Sequence, residues 1–306
     1  MDLSTKIHSC RLSSSCLVYS KLKVVRSKSQ TKTMTPSISL VAASSKAEVP
    51  NLLNGAIVGL AANAIASRGA FSMALSGGSL ASFLSTMESA FASASVDPHF
   101  DSWHIILADE RCVPKDHEDS NLGLLDKVLF SKIPIPSNQI IGIDEDEMKV
   151  SSAAVAQDYE TKVKAVLDKT GGQLDLAVLG FGPDGHTCSL FPDHPMLQET
   201  SKWVSSLDDS PKPPPSRISL TFPVLNQQTR HVIFCGAGGS KSPILKAVFE
   251  TVKEEESLEN GKKYSVTMQA PPPFPCAMVA PNSAQTENSV TWVVDADAMR
   301  DVPISS

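Results

Sequence analysis

The chain has 306 residues, of which 42% are hydrophobic and 20% charged, and its formal net charge is −6. This length suffices to bury a substantial core in one large α/β domain or two small ones. The mildly acidic balance gives no reason to expect nucleic acid or an anionic membrane as a partner, so any anion binding must come from a local site.

The first 47 residues differ in composition from the rest of the chain. They are rich in Ser and Thr and basic, with Asp2 as their single acid. A basic, hydroxyl-rich leader without a long apolar stretch is typical of an organelle transit peptide, and the density of Ser favours a plastid. We therefore expect a transit peptide over residues 1–47 and a location in the plastid stroma. The alternatives are an ordinary disordered tail and a cytosolic form that starts at Met34.

Two further classes of protein receive no support from the sequence. The six cysteines lie far apart, with no C-x-x-C and no zinc-ligand spacing to histidine, which indicates a reduced, intracellular protein. No run of 18 or more apolar residues occurs, so no membrane span is predicted.

From residue 50 onward, helical and strand-like patterns alternate. Apolar residues recur at helical spacing from Leu52 to Ile65, and Gly69 follows as a stop signal. The run "FSMAL" then breaks into the glycine turn "SGGS" before a second helical pattern. The same unit returns at "WHIILADER" and "LDLAVLGFG", and the later apolar runs are "RISLTF", "HVIFCGAGGSKS", "CAMVA" and "VTWVV".

Three later segments are interpreted by composition. We expect the helix after "HVIFCGAGGSKS" to end at about Val252. Residues 205–216, which contain "PKPPP", are interpreted as a surface loop, and "EEESLENGKK" as a solvated turn.

Short apolar runs that alternate with helical patterns predict a mostly parallel sheet covered by helices on both faces. The expected fold class is α/β, a single doubly wound domain over residues 48–306. Ligands bind such sheets in the crevice at the carboxyl ends of the strands. This rule selects the loops at residues 76–79, 109–111, 180–186 and 236–241.

The first two of these loops suit an anion. Backbone amides and a helix N-terminus in a glycine turn can hold a phosphate or carboxylate; the residues concerned are Ser76, Gly77, Gly78 and Ser79. The alternative is a plain turn with Ser79 as the helix N-cap. In "ADER", Arg111 can grip an oxyanion with Asp109 or Glu110 orienting it, or the triplet can be an exposed loop.

The loop "CGAGGSKS" resembles a phosphate-binding P-loop, but Ser240 separates Gly239 from Lys241, so the required G-K-[ST] is absent. A single lysine, Lys241, could still reach a sugar phosphate from this turn. The alternative is an ordinary surface lysine.

The stretch "LGFGPDGHTCSLFPDHP" contains a literal G-x-G-x-x-G, but Pro183 lies inside the loop and no long helix, further strand or acid follows at the required spacing. A dinucleotide site is therefore not expected. What remains is a strand end that carries Asp184 and His186, and a histidine pKa of about 6.5 suits proton transfer near neutrality. A structural histidine, or a metal site with Asp193 and His194, is the alternative.

Together, "SGGS", "WHIILADERCVP" with the following "DSN", "GFGPDGHTCSLFP" and "RISLTFPVLN" resemble the 6-phosphogluconolactonase family, in the right order over about residues 50–298. Cys188 stands where the family usually has alanine. The resemblance implies a modified Rossmann-like fold, as in relatives of glucosamine-6-phosphate deaminase and ribose-5-phosphate isomerase. It implies hydrolysis of 6-phospho-D-glucono-1,5-lactone in the oxidative pentose phosphate pathway, without a cofactor or metal.

The resemblance also implies roles for individual residues. His186 is expected to deprotonate water and then to protonate the ring oxygen, with Asp184 or Asp109 orienting it. Arg111 and Lys241 are expected to bind the 6-phosphate, helped by the "SGGS" loop, and Arg217 is a further candidate. A deaminase or isomerase on the same fold is the nearest alternative, although a deaminase typically continues "DGH" with "IAFNEP" and this chain with "TCSLFP". The second alternative is a non-catalytic protein that binds a sugar phosphate. The oligomeric state is left open.

Overall fold

The computed structural model describes residues 38–281 and 289–305. Its strands are β1 (Ile38–Ala43), β2 (Phe71–Leu75), β3 (Trp103–Leu107), β4 (Asp109–Arg111), β5 (Leu174–Leu179), β6 (Val204–Leu207), β7 (Arg217–Leu220), β8 (Thr229–Cys235), β9 (Phe249–Leu258), β10 (Gly261–Met268) and β11 (Val290–Asp295). Its α-helices are α1 (Val49–Arg68), α2 (Ser79–Phe83), α3 (Met87–Ala94), α4 (Asn121–Leu125), α5 (Glu145–Met148), α6 (Ser152–Lys169), α7 (Phe222–Gln227), α8 (Ser242–Val248) and α9 (Pro275–Met278). A π-helical turn, Asp126–Phe130, follows α4.

An eight-stranded sheet in the order β3-β2-β5-β8-β11-β1-β10-β9 forms the centre of the molecule. The six strands from β3 to β1 are parallel, and β10 and β9 extend the sheet as an antiparallel hairpin. A small antiparallel sheet, β4-β7-β6, lies beside it. Helices flank the large sheet, so the expected α/β, mostly parallel fold class is confirmed.

The strand order places a crevice between β2 and β5. After β2 the chain adds β3 on one side, and β5 then pairs with the opposite side of β2. Loops that leave neighbouring parallel strands in opposite directions open a crevice at their carboxyl ends, where ligands bind. The loops that begin at Ser76 and Gly180 leave the sheet at this point.

The central strands are buried on both faces, which explains why their sequences are continuous apolar runs. Every residue of β2, β5 and β11 is buried. Helix α1 covers the sheet with a stripe at helical spacing that includes Leu53, Ile57 and Ala61. It ends where predicted, because Gly69 takes a left-handed φ of 75° and donates its N–H to the Ile65 carbonyl at 2.8 Å.

By length and composition alone, the helical stretch Lys46–Arg68 could cross a membrane, since an 18-residue window has a mean hydropathy of 1.4. The sequence expectation did not detect it because Asn54 and Asn63 interrupt the apolar run. In the structure 44% of that window is buried, and α1 packs on β1, β2 and β11 as a core helix does.

The boundary placed after residue 47 needs correction. Strand β1 lies inside the segment assigned to the leader, and it pairs in parallel with β11 and antiparallel with β10. The Ser-rich composition around "ISLVAA" hid this short apolar run. The predicted transit peptide before residue 38, and Met34 within it, lie outside the described residues.

Four other local expectations differ from the structure. Helix α8 ends at Val248 rather than near Val252, and residues 249–268 form the hairpin of β9 and β10. The charged segment interpreted as a turn belongs to that hairpin, where Lys262 and Lys263 pair across the strands with Glu254 and Glu255 at 2.8 and 3.1 Å. The apolar run "CAMVA" includes the short helix α9, and the loop placed at 205–216 begins inside β6.

Candidate active site

A tight turn after β5 brings Asp184 against His186. The N–H of Gly182 donates to the carbonyl of His186 at 2.8 Å, and the N–H of Gly185 donates to the carbonyl of Gly182 at 3.0 Å. Gly185 has a φ of 78°, which glycine adopts without strain. Within this turn His186 Nδ1 lies 2.5 Å from Asp184 Oδ1.

Glycine is required at position 182 for a second reason. A Cβ atom there would lie 2.0 Å from His186 Nδ1 and 2.4 Å from Asp184 Oδ1. The histidine and the carboxylate therefore occupy the space that any side chain at position 182 would need.

The imidazole of His186 is largely enclosed, with 20% of the side chain exposed. Its ring lies 4.9 Å from that of Phe191, centroid to centroid. Burial lowers the pKa of His186, although the hydrogen bond and charge of Asp184 act in the opposite direction. Burial alone would raise the pKa of Asp184, but its hydrogen bonds and the charges of His186 and Lys212 together outweigh burial, and the pKa falls. At neutral pH the pair is thus a neutral imidazole and a carboxylate.

A lysine that the sequence expectations did not include completes this group. Lys212 lies in the loop between β6 and β7, and its Nζ is 3.0 Å from His186 Nδ1 and 3.2 Å from Asp184 Oδ2. The "PKPPP" segment was interpreted only as a surface loop. The sequence did contain a signal for this residue, namely a lysine that lies among prolines just before a strand of the site.

Lys241, which follows β8, contacts the turn after β5. Its Nζ donates to the carbonyl of Phe181 and lies 4.9 Å from the centre of the Phe181 ring. Burial, and next the positive charge of Lys212, lower the pKa of Lys241. The two ammonium groups are therefore close enough to repel each other, a situation that an anion between them would relieve.

The arginines Arg111 and Arg217 are direct neighbours across β4 and β7. Arg217 is 4% exposed and donates to the carbonyls of Lys212, Pro213 and Pro214 at 2.9–3.0 Å, so it holds the loop that carries Lys212. Burial, and next the charge of Arg111, lower the pKa of Arg217.

Arg111 keeps an uncommitted donor. Its Nη1 donates to the Asp119 carbonyl at 2.6 Å, while its buried Nε finds no acceptor among the residues that the structure describes. A buried donor without a partner costs free energy, which a bound anion would recover.

The "SGGS" loop after β2 leaves several donors free. Ser76 donates its N–H to the Val178 carbonyl at 3.0 Å, but its buried Oγ has no partner within the described part of the chain. Gly77 lies against Asn121, whose Oδ1 would be 1.9 Å from a Cβ at this position. The N-cap of α2 is Gly78, with a φ of 67°, so the alternative of Ser79 as N-cap is wrong.

The structure distinguishes the two carboxylates considered as partners of His186. Asp109 accepts a hydrogen bond from Ser189 Oγ at 2.9 Å, and Asp184 is the one bonded to the imidazole. Glu110 accepts the N–H groups of Arg111, Asn121 and Leu122, each at 2.8 Å, so it orients backbone rather than the Arg111 guanidinium.

The remaining polar groups near the turn have other partners. His194 Nε2 lies 3.0 Å from Asp209 Oδ1, away from His186. Over residues 38–281 and 289–305, no cluster of three or more His, Cys, Asp or Glu side chains is placed to hold a metal ion. Cys188 is buried, which raises the pKa of its thiol well above the usual value.

A mostly parallel sheet with a histidine–carboxylate pair and lysines at its switch point is the arrangement of an α/β enzyme whose ligand binds at the carboxyl ends of the strands. The family model described as "Glucosamine-6-phosphate isomerases/6-phosphogluconolactonase" matches residues 44–292. The chain belongs to this family.

Curated relatives agree with that assignment, and a solved structure has a similar fold. The human protein named 6-phosphogluconolactonase is 40% identical over 234 residues, which cover 76% of this chain and 81% of the relative. The rice protein named "Probable 6-phosphogluconolactonase 3, chloroplastic" is 39% identical over 250 residues, 78% of this chain and 68% of the relative. The fold is similar to that of the Thermotoga maritima 6-phosphogluconolactonase, with a TM-score of 0.65 and 24% identity over 85% of this chain and 100% of that one.

Proposed function

We propose that this protein is a 6-phosphogluconolactonase, which hydrolyses 6-phospho-D-glucono-1,5-lactone to 6-phospho-D-gluconate in the oxidative pentose phosphate pathway. The observation that carries the proposal is the pairing of a neutral His186 with Asp184 at the switch point, beside Lys212 and Lys241. The human and rice relatives, at about 40% identity, bear the same enzyme name.

His186 supplies the proton transfer. With Nδ1–H donated to Asp184, its Nε2 carries a lone pair and bonds to none of the described residues. A water held there loses a proton to Nε2 as its oxygen attacks the lactone carbonyl. The imidazolium, stabilised by Asp184, then returns that proton to the ring oxygen as the C1–O bond breaks.

The carbonyl oxygen gains negative charge during this attack and needs hydrogen-bond donors. The N–H groups of Gly77 and Gly78 donate to no acceptor among the described residues, and neither does the Ser76 hydroxyl. We propose the Ser76–Ser79 turn as the support for this oxyanion or for the sugar hydroxyls.

The 6-phosphate is proposed to lie among the cations of the crevice. Arg111 offers its free Nε, and Lys241 and Lys212 offer ammonium groups that repel each other without an anion. Arg217 contributes charge and holds the Lys212 loop, since its guanidinium already donates to three carbonyls.

We extend the proposal to the plastid stroma as the location. The basic, Ser-rich leader and the word "chloroplastic" in the name of the rice relative support it. The name of the human relative carries no such word. A cytosolic form beginning at Met34 is the alternative.

The test is a coupled assay of 6-phosphogluconolactone hydrolysis, corrected for spontaneous ring opening. His186→Asn should lower kcat by about 10²-fold or more with the fold intact, because the general base is lost. His99→Asn is the matched control, since His99 is exposed and remote from the turn, and it should keep the wild-type kcat.

Three results would count against the proposal. If calorimetry shows that the wild-type protein binds the lactone but the assay detects no turnover, the protein is a sugar-phosphate sensor. Release of ammonia from glucosamine 6-phosphate in place of lactone hydrolysis would make it a deaminase. Unchanged turnover in His186→Asn would remove this histidine from the mechanism.

A further inference from the structure

One nitrogen of His186 faces two partners that cannot both be satisfied. Nδ1 lies 2.5 Å from Asp184 Oδ1 and 3.0 Å from Lys212 Nζ. In a neutral imidazole a ring nitrogen carries either a proton or a lone pair. Nδ1 can therefore donate to the carboxylate or accept from the ammonium, but it cannot do both at once.

The two arrangements have opposite chemical consequences. When Nδ1–H donates to Asp184, the lone pair is on Nε2 and the ring can take a proton from water. When Lys212 donates to Nδ1, the proton is on Nε2 and the ring cannot act as a base. Exchange moves one proton between the two ring nitrogens through water, with no net gain or loss.

The surroundings of Lys212 decide which arrangement is populated. The backbone of Lys212 is held through its carbonyl by Arg217, while its side chain is 37% exposed and can swing on a four-carbon stem. Besides Asp184, the charged groups that act on the pair are Asp109, on His186, and Lys241, on Lys212. A phosphate dianion bound near Lys241 would add the strongest attraction for the Lys212 ammonium.

We propose that Lys212 couples the substrate's phosphate to the base form of His186: without phosphate its ammonium competes for Nδ1, and with phosphate it leaves Nδ1 to Asp184. This inference rests on the proposed function and adds a source of specificity to it. Lys212 would thus have two roles, as a ligand of the phosphate and as a positioning residue that acts on the reaction through His186.

The coupling predicts opposite effects of one substitution on two substrates. Lys212→Met should lower kcat/KM for 6-phosphogluconolactone, since the phosphate loses a ligand. For unphosphorylated D-glucono-1,5-lactone the same substitution should raise kcat, by roughly threefold or more, because a larger fraction of His186 is in the competent tautomer. If Lys212 were only a ligand of the phosphate, its substitution would leave kcat for the unphosphorylated lactone unchanged.

The experiment measures both lactones with wild-type protein, Lys212→Met, Lys212→Arg and the control Lys202→Met, whose lysine is exposed. Added phosphite should accelerate hydrolysis of the unphosphorylated lactone by the wild-type protein. The acceleration should be smaller in Lys212→Arg and absent in Lys212→Met. Nitrogen NMR of labelled histidine should show the proton of His186 moving from Nε2 to Nδ1 as inorganic phosphate is added.

The outcomes separate this inference from the proposed function. Hydrolysis of 6-phosphogluconolactone by the wild-type protein supports the proposed function, whichever result the Lys212 variants give. Three results would each overturn the coupling. Lys212→Met could lose activity equally on both lactones, or it could leave the rate on the unphosphorylated lactone unchanged. The third is a His186 tautomer that does not change when phosphate is added.

Discussion

Because Gly182 has no side chain, it leaves room for the contact between the His186 imidazole and the Asp184 carboxylate at the centre of the site. Gly182→Ala would put a Cβ 2.0 Å from His186 Nδ1, so the pair must separate. We expect kcat to fall about as far as on loss of the base, on the order of 10²-fold, with little change in Tm. Steady-state kinetics and thermal denaturation measure the two effects.

The neighbouring Gly180 offers a matched control, because a Cβ there meets nothing within 4 Å. Gly180→Ala should keep the wild-type kcat. Wild-type activity in Gly182→Ala would mean that the observed contact between His186 and Asp184 is not needed for turnover.

Single residues also show which members of the candidate site a rule based on strand ends selects and which it does not. The rule selects His186, Asp184 and Lys241 because they follow strands of the parallel sheet, whose carboxyl ends meet at one edge. Lys212 precedes β7 of the small sheet, so that rule does not select it. The choice of Asp184 over Asp109 depended on the backbone of the turn at Gly185, which spacing alone does not reveal.

At the scale of elements, Glu110 joins β4 to α4. Its buried carboxylate accepts three backbone N–H groups and, at 3.2 Å, the hydroxyl of Ser120. Burial raises the pKa of Glu110, although those backbone hydrogen bonds act against the rise. Through these backbone hydrogen bonds, the Glu110 carboxylate fixes the positions of Arg111 and Asn121.

Glu110→Gln should destabilise the fold by about 1–3 kcal/mol, because an amide NH₂ replaces one accepting oxygen and leaves a buried N–H unpaired. Denaturant unfolding measures this change. Since Arg111 moves with the loop, KM for the phosphorylated lactone should rise as well. The exposed Glu250→Gln is the control; equal stability of the two variants would contradict the role of Glu110.

The elements that the sequence predicted poorly lie at the edge of the sheet. Patterns identified the central strands because both of their faces are buried. The hairpin of β9 and β10 is largely exposed and charged, so it shows no apolar run and its composition is that of a turn. Composition likewise assigned β1 to the leader, since a six-residue strand does not change the average of a Ser-rich segment.

For the whole molecule, β1 connects the parallel part of the sheet to its antiparallel edge. It lies between β11 and β10, and Leu40, Val41, Ala42 and Ala43 are all buried, with Leu40 at 0% exposure. Removing the strand would expose the edge of β11 and detach the hairpin. The lost burial of Leu40 and Val41 alone costs on the order of 3–6 kcal/mol, a large part of the 5–15 kcal/mol that stabilises a typical domain.

A chain that starts at residue 38 should therefore fold with the Tm and activity of the full-length protein, and a chain that starts at residue 48 should be unfolded or insoluble. Circular dichroism, thermal denaturation and the lactonase assay on both chains make the comparison. Equal Tm values would show that β1 is dispensable. If the leader is removed on import into the plastid, the same reasoning requires that cleavage fall before Ile38, because a mature protein without β1 would lose the strand that joins the two parts of its sheet.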